Sequence, residues 1–485
     1  MITSSKMRKV IQFSRRQVST LPETFLSALR AIPDININTN PYELERHGRG
    51  ETYHKTQPPQ SIVHVTKESD VIAVLKLCNT YKIPVIPFGA GTSLEGHVAA
   101  LYGGISLSFC QSFNKILRVD TVSMDATVQP GVTRNQLNNE LRHSGLQFMV
   151  DPGADASIGG MTATGASGTS AVKYGTMREN VLGCRAVLSS GEVIKCGGRA
   201  RKNSAGLDLT RLMIGSEGTL GVITEITVKL HPIPNSISAA VCSFPTIADA
   251  ANAITALLQS GISLSKCELM DSTTIEAYNK YATDVQDMPL LPHLFLEFTD
   301  ITEERVVEQA GLAADICNAY MGSDFKYSQT LSDQKKLWSA RHNVYYASIA
   351  LRKDAKGVVT DACVPLEHLA KLLVETSEDI KNEGIVGPIF GHAGDGNFHV
   401  VLPIVNGDET NGYLDKVNRV MDNISRRAIE AGGTCTGEHG VGYGKLKYLN
   451  LQYNCETVNA MRRIKAALDP NNILNPGKIG TNSSV

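Results

Sequence analysis

No CxxC pair occurs among the ten cysteines, which stand at 78, 110, 184, 196, 242, 267, 317, 363, 435 and 455. That spacing argues against a zinc ribbon, an iron–sulfur cluster or a disulfide scaffold. No uninterrupted apolar run approaches the ~18 residues a membrane-spanning helix requires. Neither sign of charge dominates, because 47 basic side chains face 48 acidic ones for a net −1, which excludes an electrostatic nucleic-acid or polyanion binder. Tryptophan occurs once, and aromatic residues make up only 6%. What is present is 485 residues with 42% hydrophobic and 20% charged side chains, enough for two or three domain cores. Glycine is abundant, 42 residues, and its clustering suggests backbone held close to a ligand.

The first 22 residues carry Lys6, Arg8, Lys9, Arg15 and Arg16 with no acid before Glu23, and Met7, Ile11 and Val18 can form an apolar stripe. This reads as an organelle transit peptide and predicts a mitochondrial protein; a basic N-terminus on a cytoplasmic one is the alternative. From Ser61 short strands alternate with helices: Ser61–Val65 reads as a strand, Ser69 as the cap of a helix burying Val71, Ile72, Val74, Leu75 and Cys78, and Val85–Phe88 as the next strand. Residues 151–221 are punctuated by Gly, Ala, Ser and Thr and cannot be mostly packed helix. Beyond Pro232 and Pro234 the composition turns to amphipathic helices such as Ile247–Leu258 and strands such as His293–Thr299. The divisions predicted are an N-terminal segment 1–50, a cofactor domain 51–233, an α+β cap domain 234–460, and a C-terminal segment 461–485.

Pro87-Phe88-Gly89-Ala90-Gly91-Thr92-Ser93-Leu94-Glu95-Gly96 follows a strand, and glycines there let successive N–H groups converge on a phosphate. A nicotinamide fingerprint fails, since Leu94 stands where GxGxxG needs glycine, and Gly440-Val441-Gly442-Tyr443-Gly444-Lys445 is no Walker A loop. Alone, such a loop is an ordinary tight turn. Two further segments accompany it, Asp151-Pro152-Gly153 through Ser167-Gly168-Thr169 and Gly215-Ser216-Glu217-Gly218-Thr219-Leu220-Gly221-Val222-Ile223-Thr224. In order and wording the three resemble the FAD-binding domain of the vanillyl-alcohol oxidase class. The resemblance implies an α+β fold, a two-part FAD-binding domain followed by a cap domain built on an antiparallel sheet. It also implies FAD contacts at Phe88, Gly89, Ala90, Gly91, Thr92 and Ser93, at Gly153, Ser157, Gly160, Thr164, Gly168 and Thr169, and at Glu217, Gly218, Gly221 and Ile223. Some members link flavin covalently through a histidine near the first loop; His97 is adjacent, but the members most alike leave that position unused, so noncovalent FAD is expected.

Pro388-Ile389-Phe390-Gly391-His392-Ala393-Gly394-Asp395-Gly396-Asn397-Phe398-His399 reads as a hairpin with a two-residue Asp395-Gly396 turn. That register sets His392 opposite His399, with Cβ atoms roughly 5 Å apart on one face. A lone strand histidine is ordinarily a packed core residue, but a facing pair can share a metal. Thr434-Cys435-Thr436-Gly437-Glu438-His439-Gly440 puts a carboxylate beside an imidazole in a glycine-flanked turn. Glu438 completes a two-histidine, one-carboxylate set suited to zinc, manganese or iron(II) with open positions for substrate. His439 is then free to serve as a base. Cys435 has no partner for nucleophilic work and reads as a small buried residue. Leu337-Trp338-Ser339-Ala340-Arg341-His342-Asn343 reads as the start of a helix, where Arg341 is either a solvated charge or a clamp for a carboxylate.

Together LWxxRHN, KGxxTDxCVP, GHxGDGNFH, GTCTGEHG and LDPNNILNPGK look like the cytochrome-linked D-lactate dehydrogenases, flavoenzymes of the same class. The likeness implies Arg341 on the substrate carboxylate, His392, His399 and Glu438 on the divalent metal, His439 as base, and Asn475 returning to the flavin. The implied reaction is oxidation of a D-2-hydroxy acid, D-lactate to pyruvate, with hydride passing to flavin N5. Electrons would leave to a separate acceptor such as cytochrome c or a quinone. D-2-hydroxyglutarate dehydrogenase and the glycolate oxidase flavin subunit share these motifs. A transferase like alkyl-dihydroxyacetone-phosphate synthase shares the FAD domain, and a flavin-binding sensor would leave Glu438 and His439 unexplained.

Overall fold

Alternation of buried side chains explains the strands and sorts them into three main sheets. The computed structural model describes residues 20–282, 287–328 and 330–480. The basic residues and apolar stripe assigned to a transit peptide lie outside these residues. The first sheet joins Ser61–His64, Ile105–Ser108 and Val85–Phe88 in parallel, with Asn36–Asn38 antiparallel on its edge. Between two of these strands runs Glu68–Tyr81, whose Val71, Val74, Leu75 and Cys78 are buried. It starts one residue before Ser69, because Asp70 reaches back to accept the N–H groups of Thr66 and Lys67 at 2.9 and 3.2 Å. The second sheet is wholly antiparallel: Ile116–Asp120, Asp125–Val128, Val222–Lys229, Val181–Val187 and Val193–Gly197, in that order. As the small-residue composition of 151–221 predicts, helices there are short; Ile158–Thr164 has seven residues.

The third sheet has eight strands, all paired antiparallel: seven run from Ser323–Ser328 through Ser236–Ser243, His293–Asp300, Leu264–Met270, Ile389–Gly391 and Asn397–Ile404 to Lys356–Val359, and the eighth, Ala362–Cys363, also pairs with Asn397–Ile404. Both faces are covered. Leu294, Leu296 and Phe298 point to a large core built with Ile247–Gln259, Glu303–Ala319, Leu366–Glu383 and Tyr413–Glu430. Phe295, one step out of phase, points to a smaller core with Tyr278, Trp338 and Val344. This is the α+β architecture with an antiparallel cap sheet.

After the helix Cys455–Leu468 the chain turns back to the first sheet. Leu474 forms a parallel bridge with Val85, and Asn475 N donates to the Val85 carbonyl at 2.9 Å. The buried Lys465 ammonium closes this return by donating to the carbonyls of Thr219 and Leu474, both at 2.8 Å, and to the Asp469 carboxylate. Lys478 is also buried, donating to the Ala99 carbonyl at 2.8 Å and to Asn475 Oδ1 at 3.2 Å. Burial takes its pKa down from 10.5 to about 7 against the opposing pull of Glu217. Between these two values the unfolded chain binds the extra proton, so folding stability gains from rising pH. Urea denaturation should therefore show the wild type gaining stability relative to Lys478→Met between pH 7 and 10; a constant difference would contradict a buried, proton-losing amine.

Candidate active site

The strand-end loops of all three sheets converge on one cavity of about 840 Å³. Phe88, Gly89, Ala90, Gly91, Thr92 and Ser93 line it, as do Gly153, Ser157, Gly160, Thr164 and Thr169, and Glu217, Gly218, Gly221, Ile223 and Asn475. Arg341, His392, His399, Glu438 and His439 line the same cavity. Gly168 does not: it packs on Asp151, whose backbone carbon a Cβ would meet at 2.4 Å. Asp151 in turn accepts the Thr169 hydroxyl at 2.7 Å and the Ser170 N–H at 2.9 Å, so this glycine closes the loop rather than touching the cavity. The glycine at 89 is demanded by close approach, since a Cβ there would lie 2.2 Å from Ser157 Oγ. Glu217 holds a left-handed φ of 54°, and its carboxylate accepts the N–H groups of Val441 and Gly442 at 2.7 and 2.9 Å. The Asn475 amide donates to the carbonyls of Glu217 and His97 at 2.8 and 3.1 Å.

The hairpin register differs from the one its turn sequence suggests. Phe390, not His392, stands opposite His399, and Ala393–Asp395 form a 3-10 turn ending at Gly396 with φ 74°. A two-residue slip preserves side-chain parity, so His392 and His399 become diagonal neighbours on one face, ring centroids 5.4 Å apart. Both reach the same carboxylate: Glu438 Oε1 is 3.1 Å from His392 Nε2 and 3.3 Å from His399 Nε2. His439 stacks on His399 with centroids 5.0 Å apart and planes 10° from parallel, its Nε2 3.9 Å from the same oxygen. The potential ligand atoms of Asp361, His399, Glu438 and His439 all lie within 4.8 Å of one another. Imidazole nitrogens and a carboxylate oxygen converging in a buried pocket are a donor set that fits a divalent cation.

Three residues without an assigned role in the sequence build this arrangement. Asp361, fully buried, accepts the N–H groups of Glu438 and His439 at 2.9 and 2.8 Å, the Thr436 hydroxyl at 2.7 Å and the Asn397 amide at 3.0 Å. Lys445 sits between Asp361, at 3.7 Å, and Glu95, at 3.1 Å. Glu268 accepts Arg341 Nε at 2.6 Å and lies 2.8 Å from His392 Nδ1. These partners stand 73 and 124 residues from Glu268 in the chain, a separation at which no spacing rule operates. Arg341 lies at the close of the helix Leu331–His342 rather than at its start, with its guanidinium 5.0 Å from the Phe390 ring.

Charge pairing opposes desolvation throughout. Burial pushes Glu438 up, but His392 and His399 outweigh it and hold the carboxyl well below its ordinary value. Burial likewise raises Glu268, and the charges of His392 and Arg341 reverse the shift. For His439 burial prevails: with His399 and Lys445 it overcomes the attraction of Asp361 and takes the imidazole down to about 4, leaving it neutral and able to accept a proton. Cys435 is buried and its thiol is pushed up to about 11, chiefly by burial, as expected of an inert core residue.

Fold and cavity define a flavin-dependent oxidoreductase of the vanillyl-alcohol oxidase architecture. An FAD-binding-domain model matches residues 59–197, and the model of the FAD-linked oxidase C-terminal domain matches residues 233–479. The chain belongs to the FAD-linked oxidase family. It is 40% identical over 484 residues to a probable mitochondrial D-lactate dehydrogenase of Danio rerio, covering 99% of this chain and 96% of the relative. It is 41% identical to a mitochondrial D-lactate dehydrogenase (cytochrome) of Arabidopsis thaliana, covering 95% and 80%. A 4-ethylphenol oxidase from Gulosibacter chungangensis shares the fold, with a TM-score of 0.77 at 18% identity over 97% of this chain and 99% of that one. No helix among the described residues is long and apolar enough to cross a membrane.

Asp361→Asn leaves one oxygen for two sets of donors: Oδ2 accepts the Glu438 and His439 N–H groups and the Thr436 hydroxyl while Oδ1 accepts the Asn397 amide, so the new amide nitrogen must face a donor. Breaking such a buried network should lower the unfolding free energy by about 3–5 kcal/mol, read by denaturant titration with unchanged slope. A loss below about 1 kcal/mol would show that the 436–440 turn does not hang on this carboxylate.

Proposed function

We propose that the chain oxidises D-lactate to pyruvate, as a D-2-hydroxy acid dehydrogenase that uses noncovalent FAD and a divalent metal, zinc or manganese. The observation that carries this reading is the convergence of Arg341, His392, His399, Glu438 and His439 on the cavity lined by the glycine-rich segments. The mitochondrial D-lactate dehydrogenase relatives support both the substrate and a mitochondrial location, and the basic segment before Glu23 agrees with import. Phe88 to Ser93, Ser157, Gly160, Gly218 and Asn475 would hold FAD, and His392, His399 and Glu438 the cation. When bound, FAD supplies the acceptor for the substrate's α-hydrogen and the cation supplies a Lewis acid for its oxygens.

The chain's own contribution is alignment and proton removal. Arg341 offers its guanidinium to the substrate carboxylate; its terminal nitrogens donate to no described residue, while its Nε is occupied by Glu268. His439, kept neutral by burial, takes the hydroxyl proton at its imidazole as the α-hydrogen leaves. Stacking on His399 and the Asp361 bonds beneath the 438–439 backbone fix the direction of that ring. With the arginine on the carboxylate and the cation site and base on the hydroxyl, the α-hydrogen of only one enantiomer faces the glycine-lined part of the cavity. Electrons then pass to a separate acceptor such as cytochrome c, in line with the cytochrome-type relative.

Anaerobic mixing with D-lactate, L-lactate, glycolate and D-2-hydroxyglutarate tests the reading through loss of oxidised flavin absorbance. D-lactate should bleach the flavin fastest. His439→Ala should retain FAD yet reduce it about 10²–10⁴-fold more slowly, the usual worth of a general base. Undiminished bleaching in that variant, or none in the wild type with any D-hydroxy acid, would end the assignment.

A further inference from the structure

We propose that Glu268 is a positioning residue that couples the carboxylate clamp to the cation site, so that neither is set without the other. The inference rests on the metal and arginine roles proposed above. Glu268 lies on the strand Leu264–Met270, between buried Cys267 and Leu269, and is itself fully buried. An ionised carboxylate so far from water is costly unless its oxygens are satisfied. Each oxygen is given to a different group: Oε2 accepts Arg341 Nε–H at 2.6 Å, and Oε1 lies 2.8 Å from His392 Nδ1.

The two contacts do different work. Donation from Nε fixes the guanidinium plane and leaves the terminal nitrogens for an incoming carboxylate. By accepting from Nδ1–H of His392, Glu268 leaves Nε2, 3.1 Å from Glu438 Oε1, as the ring nitrogen that a bound cation would take. Arg341 arrives on the helix Leu331–His342 and His392 from the end of the strand Ile389–Gly391. Glu268 is the carboxylate the two share. Its two oxygens are rigidly joined, so a displacement that suits one partner is felt by the other. Substrate carboxylate and cation are thereby tied through a group that touches neither.

A purely structural triad would cost stability on mutation but leave the folded protein's affinities alone; a positioning role moves them. The experiment uses the FAD-loaded protein stripped of metal by chelation and titrated with Mn²⁺, followed by steady-state kinetics with D-lactate. Glu268→Gln, with FAD content retained, should bind Mn²⁺ about 10–100-fold more weakly, the usual cost of losing a histidine's outer partner. Its KM for D-lactate should rise at least about tenfold, with kcat falling less. Glu268→Asp keeps the charge and should recover part of both losses; it also replaces Glu268→Gln if the latter does not retain FAD. Wild-type Mn²⁺ affinity in flavin-loaded Glu268→Gln, or in Glu268→Asp where only that variant retains FAD, would overturn the inference. If instead Glu438→Gln leaves Mn²⁺ binding intact, the metal assignment itself has failed, an outcome distinct from the failure of Glu268 alone.

Discussion

Asp361 is where the desolvation of charge is resolved in this molecule. Removing a carboxylate from water costs several kcal/mol unless the protein supplies donors in its place. Here the donors are the backbone of Glu438 and His439, the Thr436 hydroxyl and the Asn397 amide. Their number and convergence dictate the path of the 436–440 turn, because that backbone has to fold around the acceptor. His399 Nδ1 and the Lys445 ammonium approach the same group at 3.6 and 3.7 Å. Both halves of the candidate site therefore inherit their position from one buried anion.

The same logic joins the cap to the cofactor domain. Glu217, from the third glycine-rich segment, is clasped by the N–H groups of 441 and 442, and Glu95, from the first, pairs with Lys445. Asn475 then reaches from the C-terminal return to the carbonyls of His97 and Glu217. Each contact is polar, directional and buried, so each tolerates little displacement. Apolar packing assembles the sheets; these polar locks set how the loops between them meet.

Much of this was legible along the chain where the signal is local. The strand Val85–Phe88 and the helix beginning at Ile247 follow from turn residues and periodicity. The histidine pair was found although its register was not: Asp395-Gly396 is a strong two-residue turn sequence, yet the chain turns through Ala393–Asp395 and pairs Phe390 with His399. An even slip keeps both histidines on one face, where both reach the Glu438 carboxylate. Gly168 carries the same motif logic as its neighbours but serves Asp151 instead.

The sequence by itself determined which chemistry-bearing residues exist and which local turns and strands carry them, because capping, alternation and glycine conformations act within a few residues. Only the tertiary structure decided which carboxylates support them. Glu268 and Asp361 lie on strands or strand ends far along the chain from their partners, and their roles arise from being enclosed with a cation or an N–H cluster. That enclosure depends on how sheets pack, which sequence spacing does not encode.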